Sequence, residues 1–487
     1  MSLKLFFFLN QTMKKIYLIT FLCFLAHNLL AQDGYRIQVK LTDRKDSFVY
    51  LAHYYGKSFP VVYKSDSAKL DKKGNAVFEK KDKIVGGIYM ILPSDRSSYF
   101  EILLNNGDEF SVTATMDSLK GNVYYKNSPA NSEFLTYQNF IAQQAEKEKQ
   151  LREELSHAKT KADSTRIFDQ AKNIRNEMTA YRKNYITQHP TALLSSIFSA
   201  MQMPQVPEGP HYKTDGKTID SNYAYHYYKT HYWDGFNFQD DRLIHTPILN
   251  ARLEEFFNKV VVQQEDSVIK EADTLLQKMK GTTELFKYSL NWLSTNAQTS
   301  KIMGMDKVFV HLVDNYYMKG DATWLGQEDL NKYIDRAKKI APNVINNPAP
   351  PFVADDAQKN ELKLYDFKAK YTLLIFYSAD CGHCKHELPL VDSAYKAELK
   401  AKGVRILAFN VEKNELQWRE FITKHNLEAW THVWDPNYKS RYWALYDTQT
   451  VPAIYLLDEE KIIRGKKLDH SNIGRVIDIT EHKLGKK

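Results

Sequence analysis

Cysteine is scarce in this chain, with three residues among 487. A disulfide-stapled scaffold is excluded, because such scaffolds are dense in cysteine. Cys23 falls in an apolar run near the N-terminus, which leaves Cys381 and Cys384 for the body of the protein. No apolar run reaches the roughly 20 residues that a membrane-spanning helix needs. Nor is there a block of lysine and arginine, although the formal net charge is +8. Charge spread in this way describes a solvated basic surface and gives no footing for nucleic-acid binding. Glycine and proline are also sparse, at 19 and 15. Places where they gather therefore mark turns and boundaries. There is no repeat of fixed period, and the length predicts about three domains.

The N-terminus has the three parts of a secretory signal. Met13-Lys14-Lys15 is a positive start, Ile16 to Leu30 is a short apolar stretch, and Ala31-Gln32 offers a cleavage point. Residues 1–32 are thus expected to be a signal peptide, with translation starting at Met1 or Met13. Leu22 precedes Cys23 where a lipoprotein signal wants a small residue, so lipidation is not expected. The implied location is the periplasm or cell envelope.

Residues 33–130 read as strands. Tyr35, Ile37, Val39 and Leu41 alternate with polar residues, and turn formers such as Asp71-Lys72-Lys73-Gly74-Asn75 and Asn105-Asn106-Gly107-Asp108 separate the runs. Many short strands with such turns predict a β-sandwich-like module. The pattern changes to helical spacing over 131–340, from Phe134, Tyr137, Phe140 and Ile141 onward. Tyrosines and a tryptophan cluster at Tyr223, Tyr225, Tyr227, Tyr228, Tyr232 and Trp233. They are expected to pack in a helical core rather than form a carbohydrate or peptide platform. A proline-rich stretch ending Pro348-Ala349-Pro350-Pro351-Phe352 marks the next boundary. In 345–487 strand and helix alternate. Thr372–Tyr377, Val404–Asn410 and Ala453–Leu457 are predicted strands, the first an uninterrupted apolar run that suits a buried parallel sheet. Lys461–Leu468 is expected to pair with the third, antiparallel. Helices are expected over Cys384–Lys402 and Glu415–His425, with Gly403 capping the first. The fold class is therefore multidomain α+β, with a β-sandwich-like module, an α-helical region and a C-terminal α/β domain.

The Cys pair carries the chemistry. Thr372–Tyr377 runs straight into Ser378-Ala379-Asp380-Cys381-Gly382-His383-Cys384, so Cys381 is expected at a strand-to-helix turn. Free backbone N–H groups and the helix dipole there favour a thiolate. His383, when protonated, adds a positive neighbour, whereas Asp380 opposes ionisation. The two-residue spacer lets the thiols close a reducible disulfide. Cys381 is then the attacking thiol and Cys384 the resolving one. Two other readings compete. One is a metal site from Cys381, His383, Cys384 and His386, but the second Cys pair of a zinc site is missing. The other is an inert structural disulfide, which over so short a loop would stabilise little.

Four local motifs give the last ~140 residues a resemblance to the TlpA/ResA branch of thioredoxin-like proteins, which are exported oxidoreductases. They are the entry Pro348-Ala349-Pro350-Pro351-Phe352, the strand ending in the Cys pair, the helix start Cys384-Lys385-His386-Glu387-Leu388-Pro389, and Thr450-Val451-Pro452-Ala453. The resemblance implies a thioredoxin fold and a cis Pro452 facing the Cys pair. It also implies that the Val451 backbone can bind an extended substrate. The buried acid that thioredoxin carries six residues before its first Cys is Ile375 here. Glu387, three residues after Cys384 on the same helix face, is the expected replacement as proton acceptor; the alternative is a first-turn carboxylate that only complements the helix dipole. Residues 33–130 and 131–340 resemble, more loosely, the modules that precede such domains, and bring no known chemistry.

The expected function is an exported thiol–disulfide oxidoreductase acting on exported proteins with disulfides or thiols. It would be re-reduced by a membrane or periplasmic electron donor and needs no cofactor. The family resemblance implies a reductant. The Gly382-His383 dipeptide is instead that of protein disulfide isomerase, and implies an oxidase or isomerase. A third possibility is a cell-envelope binding or scaffold protein with an incidental Cys pair. Cleavage near Ala31–Gln32 should leave a mature chain that starts close to residue 32. N-terminal sequencing of the protein from cells tests this, and a cytosolic chain retaining Met13 would contradict it.

Overall fold

The computed structural model describes residues 33–45 and 47–485. The expected signal peptide, with Cys23, lies outside them. Among the described residues the chain divides into two compact units. One runs to Phe256 and includes Met279–Leu285, and the other comprises Phe257–Lys278 and everything from Phe286 on. No described helix is long and apolar enough to cross a membrane.

The first unit opens with β1 (Tyr35–Leu41), β2 (Phe48–His53), β3 (Tyr63–Lys69), β4 (Asn75–Lys80), β5 (Gly87–Pro93), β6 (Phe100–Leu104), β7 (Asp108–Ala114) and β8 (Val123–Lys126). They form two four-stranded sheets, ordered β4-β1-β7-β8 and β3-β2-β5-β6. The alternation seen in the sequence is the physical cause: Ile37, Val39, Leu51, Phe78, Ile102 and Val112 point into one shared core. The Asp71 turn forms as its residues suggest. Its carboxylate accepts from the Lys73 and Asn75 amides, and Gly74 takes φ +79°.

Helices α1 (Pro129–His157) and α2 (Lys161–Gln188) follow. Their break has no glycine or proline; Thr160 ends it by capping the Asp163 amide at 3.1 Å. Next come α3 (Leu193–Ala200), α4 (Tyr223–His231) and α5 (Leu249–Glu255). Here the expectation for the aromatic cluster fails in part. Tyr232 is fully buried, but α4 buries none of its residues. Its tyrosines stack on histidines instead, Tyr223 on His211 and Tyr227 on His231. Runs this dense in aromatics need not face inward, because a tyrosine carries a polar end as well as an apolar ring.

The second unit begins in helices α6 (Glu265–Lys278), α7 (Glu284–Thr299, from Phe286 on), α8 (Met305–Leu312) and α9 (Gln327–Ile340). Then come β9 (Val353–Asp356), β10 (Glu361–Lys363), β11 (Tyr371–Tyr377), α10 (Gly382–Ala394), β12 (Val404–Asn410), α11 (Glu415–Lys424), β13 (Thr431–Trp434), α12 (Tyr442–Leu445), β14 (Ala453–Leu457), β15 (Ile463–Lys466) and α13 (Ile473–Leu484). The seven strands form one sheet, β10-β9-β13-β12-β11-β14-β15. β11, β12 and β13 are parallel, and β14 and β15 run antiparallel to their neighbours. Every residue of central β11 is buried. Leu373, Ile375 and Tyr377 face one core, with α10 and α13, while Leu374 and Phe376 face the other, with Phe352 and Phe409. This is a thioredoxin fold with the expected alternation of strand and helix. The short strands β9, β10 and β13 have no counterpart in the sequence reading, because runs of three or four residues are too short to show a period.

Two glycines make a test of the packing. Gly87 has φ +142°, and a Cβ there would lie 2.4 Å from the His245 Cβ and 2.9 Å from the Arg242 carbonyl oxygen. Gly382 has open space around it. Gly87→Ala should cost about 2–4 kcal/mol through strain and clash. Gly382→Ala should stay within about 0.5 kcal/mol. Urea unfolding followed by circular dichroism checks both, and equal midpoints for the two variants would contradict the packing described.

Candidate active site

The fully buried β11 ends at Tyr377 and delivers the chain to the start of α10, where Cys381 is the N-cap. Its Sγ accepts the Cys384 backbone N–H at 3.4 Å. A sulfur in the N-cap place therefore receives one of the free helix donors and sits in the positive end of the helix dipole. Both cysteines are free thiols, Cys381 partly exposed and Cys384 buried. Burial pushes the Cys384 thiol up to about 12, with the neighbouring Cys381 adding to the shift. The pair thus has one accessible sulfur and one that resists ionisation, the asymmetry an attacking and a resolving thiol require.

The opposite wall is the loop before β14. The Val451–Pro452 peptide is cis, and the Cys381 thiol donates to the Val451 carbonyl oxygen at 3.2 Å. The sequence-derived residues Cys381, Cys384, Val451 and Pro452 therefore meet. Gly382, His383 and Asp380 are exposed beside them. Gln417 of α11 donates to the Asp380 carboxylate and so occupies the acid nearest to Cys381. Among the described residues no group of three histidine, cysteine or acidic side chains converges as a metal-ligand set would.

Glu387 lies one turn into α10 and is partly buried. Its Oε1 accepts the His470 backbone N–H at 2.7 Å, and the His470 Nδ1 stands 3.0 Å away. The carboxylate is held by the segment preceding α13. His470 was invisible in the sequence, 83 residues from its partner in the chain. So was a buried polar chain at the end of β11. Trp418 donates to the Tyr377 hydroxyl at 2.8 Å, Tyr377 donates to His432 Nδ1 at 3.0 Å, and His432 Nε2 donates to the Leu427 carbonyl oxygen at 2.8 Å. A carbonyl only accepts, which fixes the tautomer. Burial pushes His432 down to about 4, so it is neutral at physiological pH.

A thioredoxin-fold domain with a Cys-x-x-Cys pair on a helix N-terminus opposite a cis-proline loop is the class these features define. Comparison with known proteins agrees. The AhpC/TSA family model matches residues 345–466, and a domain of unknown function, DUF5106, matches 142–343. Over 125 residues the chain is 30% identical to the thiol-disulfide oxidoreductase ResA of Geobacillus thermodenitrificans, covering 25% of this chain and 70% of the relative. The chain belongs to this ResA-like thioredoxin family. The ResA of Bacillus cereus is 26% identical over 116 residues, 24% of this chain and 65% of the relative. The chain spans 63 to 65% of the length of this and two similar ResA proteins. Among solved structures, a thioredoxin-like protein of Bacteroides caccae is 18% identical, covers 57% of this chain and 98% of its own, and has a TM-score of 0.47.

The shifted thiol makes stability depend on pH. The folded value of about 12 lies above the ordinary 9.0. Reduced Cys384 therefore contributes stability that is complete below about pH 8.5 and is lost as pH rises toward 12. Relative to Cys384→Ser, the reduced protein should lose about 2 kcal/mol between pH 8 and pH 10.5. Denaturant unfolding of both proteins across that range measures it. A difference independent of pH would mean that the thiol is not desolvated as described.

Proposed function

We propose that the protein is an exported thiol–disulfide oxidoreductase that reduces disulfides in exported polypeptides. The observation that carries this reading is the placement of Cys381, N-capping α10 and facing the Val451 carbonyl, with Cys384 buried behind it. The ResA relatives, which bear the name thiol-disulfide oxidoreductase, support the same activity.

In the proposed cycle the Cys381 thiolate attacks one sulfur of a substrate disulfide. A Cys381–substrate bond forms, the substrate S–S bond breaks, and one substrate thiolate leaves. The Cys384 thiol then gives up its proton and attacks Cys381 Sγ. The intramolecular disulfide forms and the second substrate thiolate leaves. Two electrons have passed to the substrate, and a dithiol donor in the envelope restores the pair. Val451 and Pro452 form the wall against which an extended segment pairs as an added strand. Gly382 leaves room over the motif, and His383 and Asp380 modulate the charge near Cys381. Glu387 takes the Cys384 proton on its way to solvent. Its partial burial and the contact with half-exposed His470 support that role, since His470 offers a route outward. Direction is assigned as reductant on the strength of the ResA relationship.

The roles predict distinct variants. Cys381→Ser should abolish exchange, and Cys384→Ser should accumulate mixed disulfides visible on non-reducing gels from cells. Glu387→Gln should retain the fold and slow release of the mixed disulfide by about tenfold to a hundredfold, with a flatter pH–rate profile. Adducts on Cys381→Ser but not on Cys384→Ser would reverse the assignment. An unchanged profile for Glu387→Gln would leave that carboxylate a purely structural role.

A further inference from the structure

The wall that faces Cys381 is not held by the thioredoxin core alone. Val451 ends a loop that begins at the end of α12, and side chains from the segment preceding the thioredoxin sheet grip the first part of that loop. Arg336 of α9 makes a two-pronged pair with Asp447, at 2.5 and 2.8 Å. Both side chains are mostly shielded, 18% and 15% exposed. Burial alone would raise the Asp447 carboxyl; the Arg336 hydrogen bonds and charge outweigh it, and the net shift is downward. Asn343, fully buried, donates to the Leu445 carbonyl oxygen at 3.0 Å. Its Oδ1 accepts from Tyr455 at 3.3 Å, and the Tyr455 hydroxyl in turn accepts the Asp447 backbone N–H at 3.1 Å. One element further on, Lys466 of β15 reaches back to Asp306 of α8 at 2.5 Å and to Asn343 Oδ1 at 2.8 Å.

Asp306, Arg336 and Asn343 all lie in the segment matched by the domain of unknown function. Their partners flank the Cys381-facing loop on both sides. A surface ion pair would say little, but this pair is bidentate, shielded and four residues from Val451. A guanidinium fork fixes both oxygens of Asp447, and the backbone N–H and carbonyl groups of the same loop are tied as well.

We propose that Arg336, with Asn343 beside it, is a positioning residue. The last helices before the thioredoxin sheet hold the Leu445–Val451 loop in register with Cys381, and thereby set how the site takes an extended, disulfide-bearing polypeptide. This rests on the oxidoreductase reading above. It assigns the C-terminal part of the helical region to substrate recognition rather than to a separate activity. Thiol attack on a small disulfide does not use strand pairing at Val451, so it should not depend on the clamp.

The test compares two probes on the full-length reduced protein, insulin as polypeptide disulfide and oxidised glutathione as small disulfide. Arg336→Lys, which keeps the charge and loses the fork, and Asp447→Asn should each lower kcat/KM for insulin by about tenfold. The rate with glutathione disulfide should stay within about twofold. Amide hydrogen exchange should speed up at residues 447–451 and stay unchanged in α10. Arg336→Ala should show the larger insulin defect; if it does not fold, the two conservative variants carry the same comparison. Parallel loss on both probes, or no loss on insulin with unchanged loop exchange, would overturn the proposal. A wild-type protein inert toward both probes would instead overturn the oxidoreductase reading itself.

Discussion

Two sulfurs three residues apart must live in opposite environments, and the structure meets this demand with one helix terminus. The Cys384 amide donates to Cys381 Sγ, so the backbone that starts α10 also steadies the outer sulfur. The same turn carries Cys384 inward, beneath the helix and against Ile375, Leu388 and the rest of that core. Neither condition survives if α10 begins a residue earlier or later. What fixes its start is β11, buried along its whole length and hydrogen-bonded to β12 and β14 on either side. A strand so constrained ends at one place, and the Cys pair inherits its position from that. The apolar run Thr372–Tyr377 is in this sense part of the active site.

Elements with a clear period were legible in the sequence. β12 and β14 have the bounds expected, and the alternation in β1 is the burial pattern observed. The Cys pair, the cis-proline loop and their meeting could be anticipated because each is a local motif. What could not be read were contacts made across long stretches of chain by residues of ordinary type. His470 near Glu387, Gln417 near Asp380 and Arg336 near Asp447 carry no local signal, since a lone histidine in a turn, or a lone glutamine or arginine on a helix, is unremarkable until the fold places it. The aromatic run around Tyr223 shows the converse: a conspicuous composition whose side chains α4 leaves outside the core.

Replacement of the usual buried acid by Ile375 leaves open which group accepts the Cys384 proton. Two polar assemblies stand nearby in the fold, and they are not equivalent. In the Tyr377–His432 chain the one basic lone pair, on His432 Nδ1, already accepts the Tyr377 hydroxyl, and burial holds the ring far below its ordinary value. To take a proton it would have to break that bond and create a buried charge without a counter-ion. Glu387 is different. It is a carboxylate whose bonds to His470 leave other lone pairs free, and its partner is 39% exposed in its side chain. A proton passed to Glu387 can leave to water without a charge being stranded inside. The proposed proton route is therefore better served by the Glu387–His470 pair, while the Tyr377 chain fills the end of β11 with satisfied hydrogen bonds.

The same reasoning bears on the Lys466–Asp306 contact. Both groups are almost wholly buried, and burial lowers the Lys466 ammonium from its usual range while Asp306 opposes the shift. Desolvating two charges costs several kcal/mol per ion, so such a pair is weak as a source of net stability and would often be replaced by apolar residues without loss. Its value is geometric. An apolar contact between α8 and β15 would tolerate sliding by a fraction of a turn. An ammonium bound at once to Asp306, the Asn343 side chain and the Asn343 carbonyl does not, because any slip strands a charge. β15 pairs with β14, and β14 follows directly from Pro452, so the register set at Lys466 passes through one strand pair to the wall opposite Cys381. A polar network that adds little stability but admits one arrangement is what a site needs when it must present a backbone edge at a fixed distance from a sulfur.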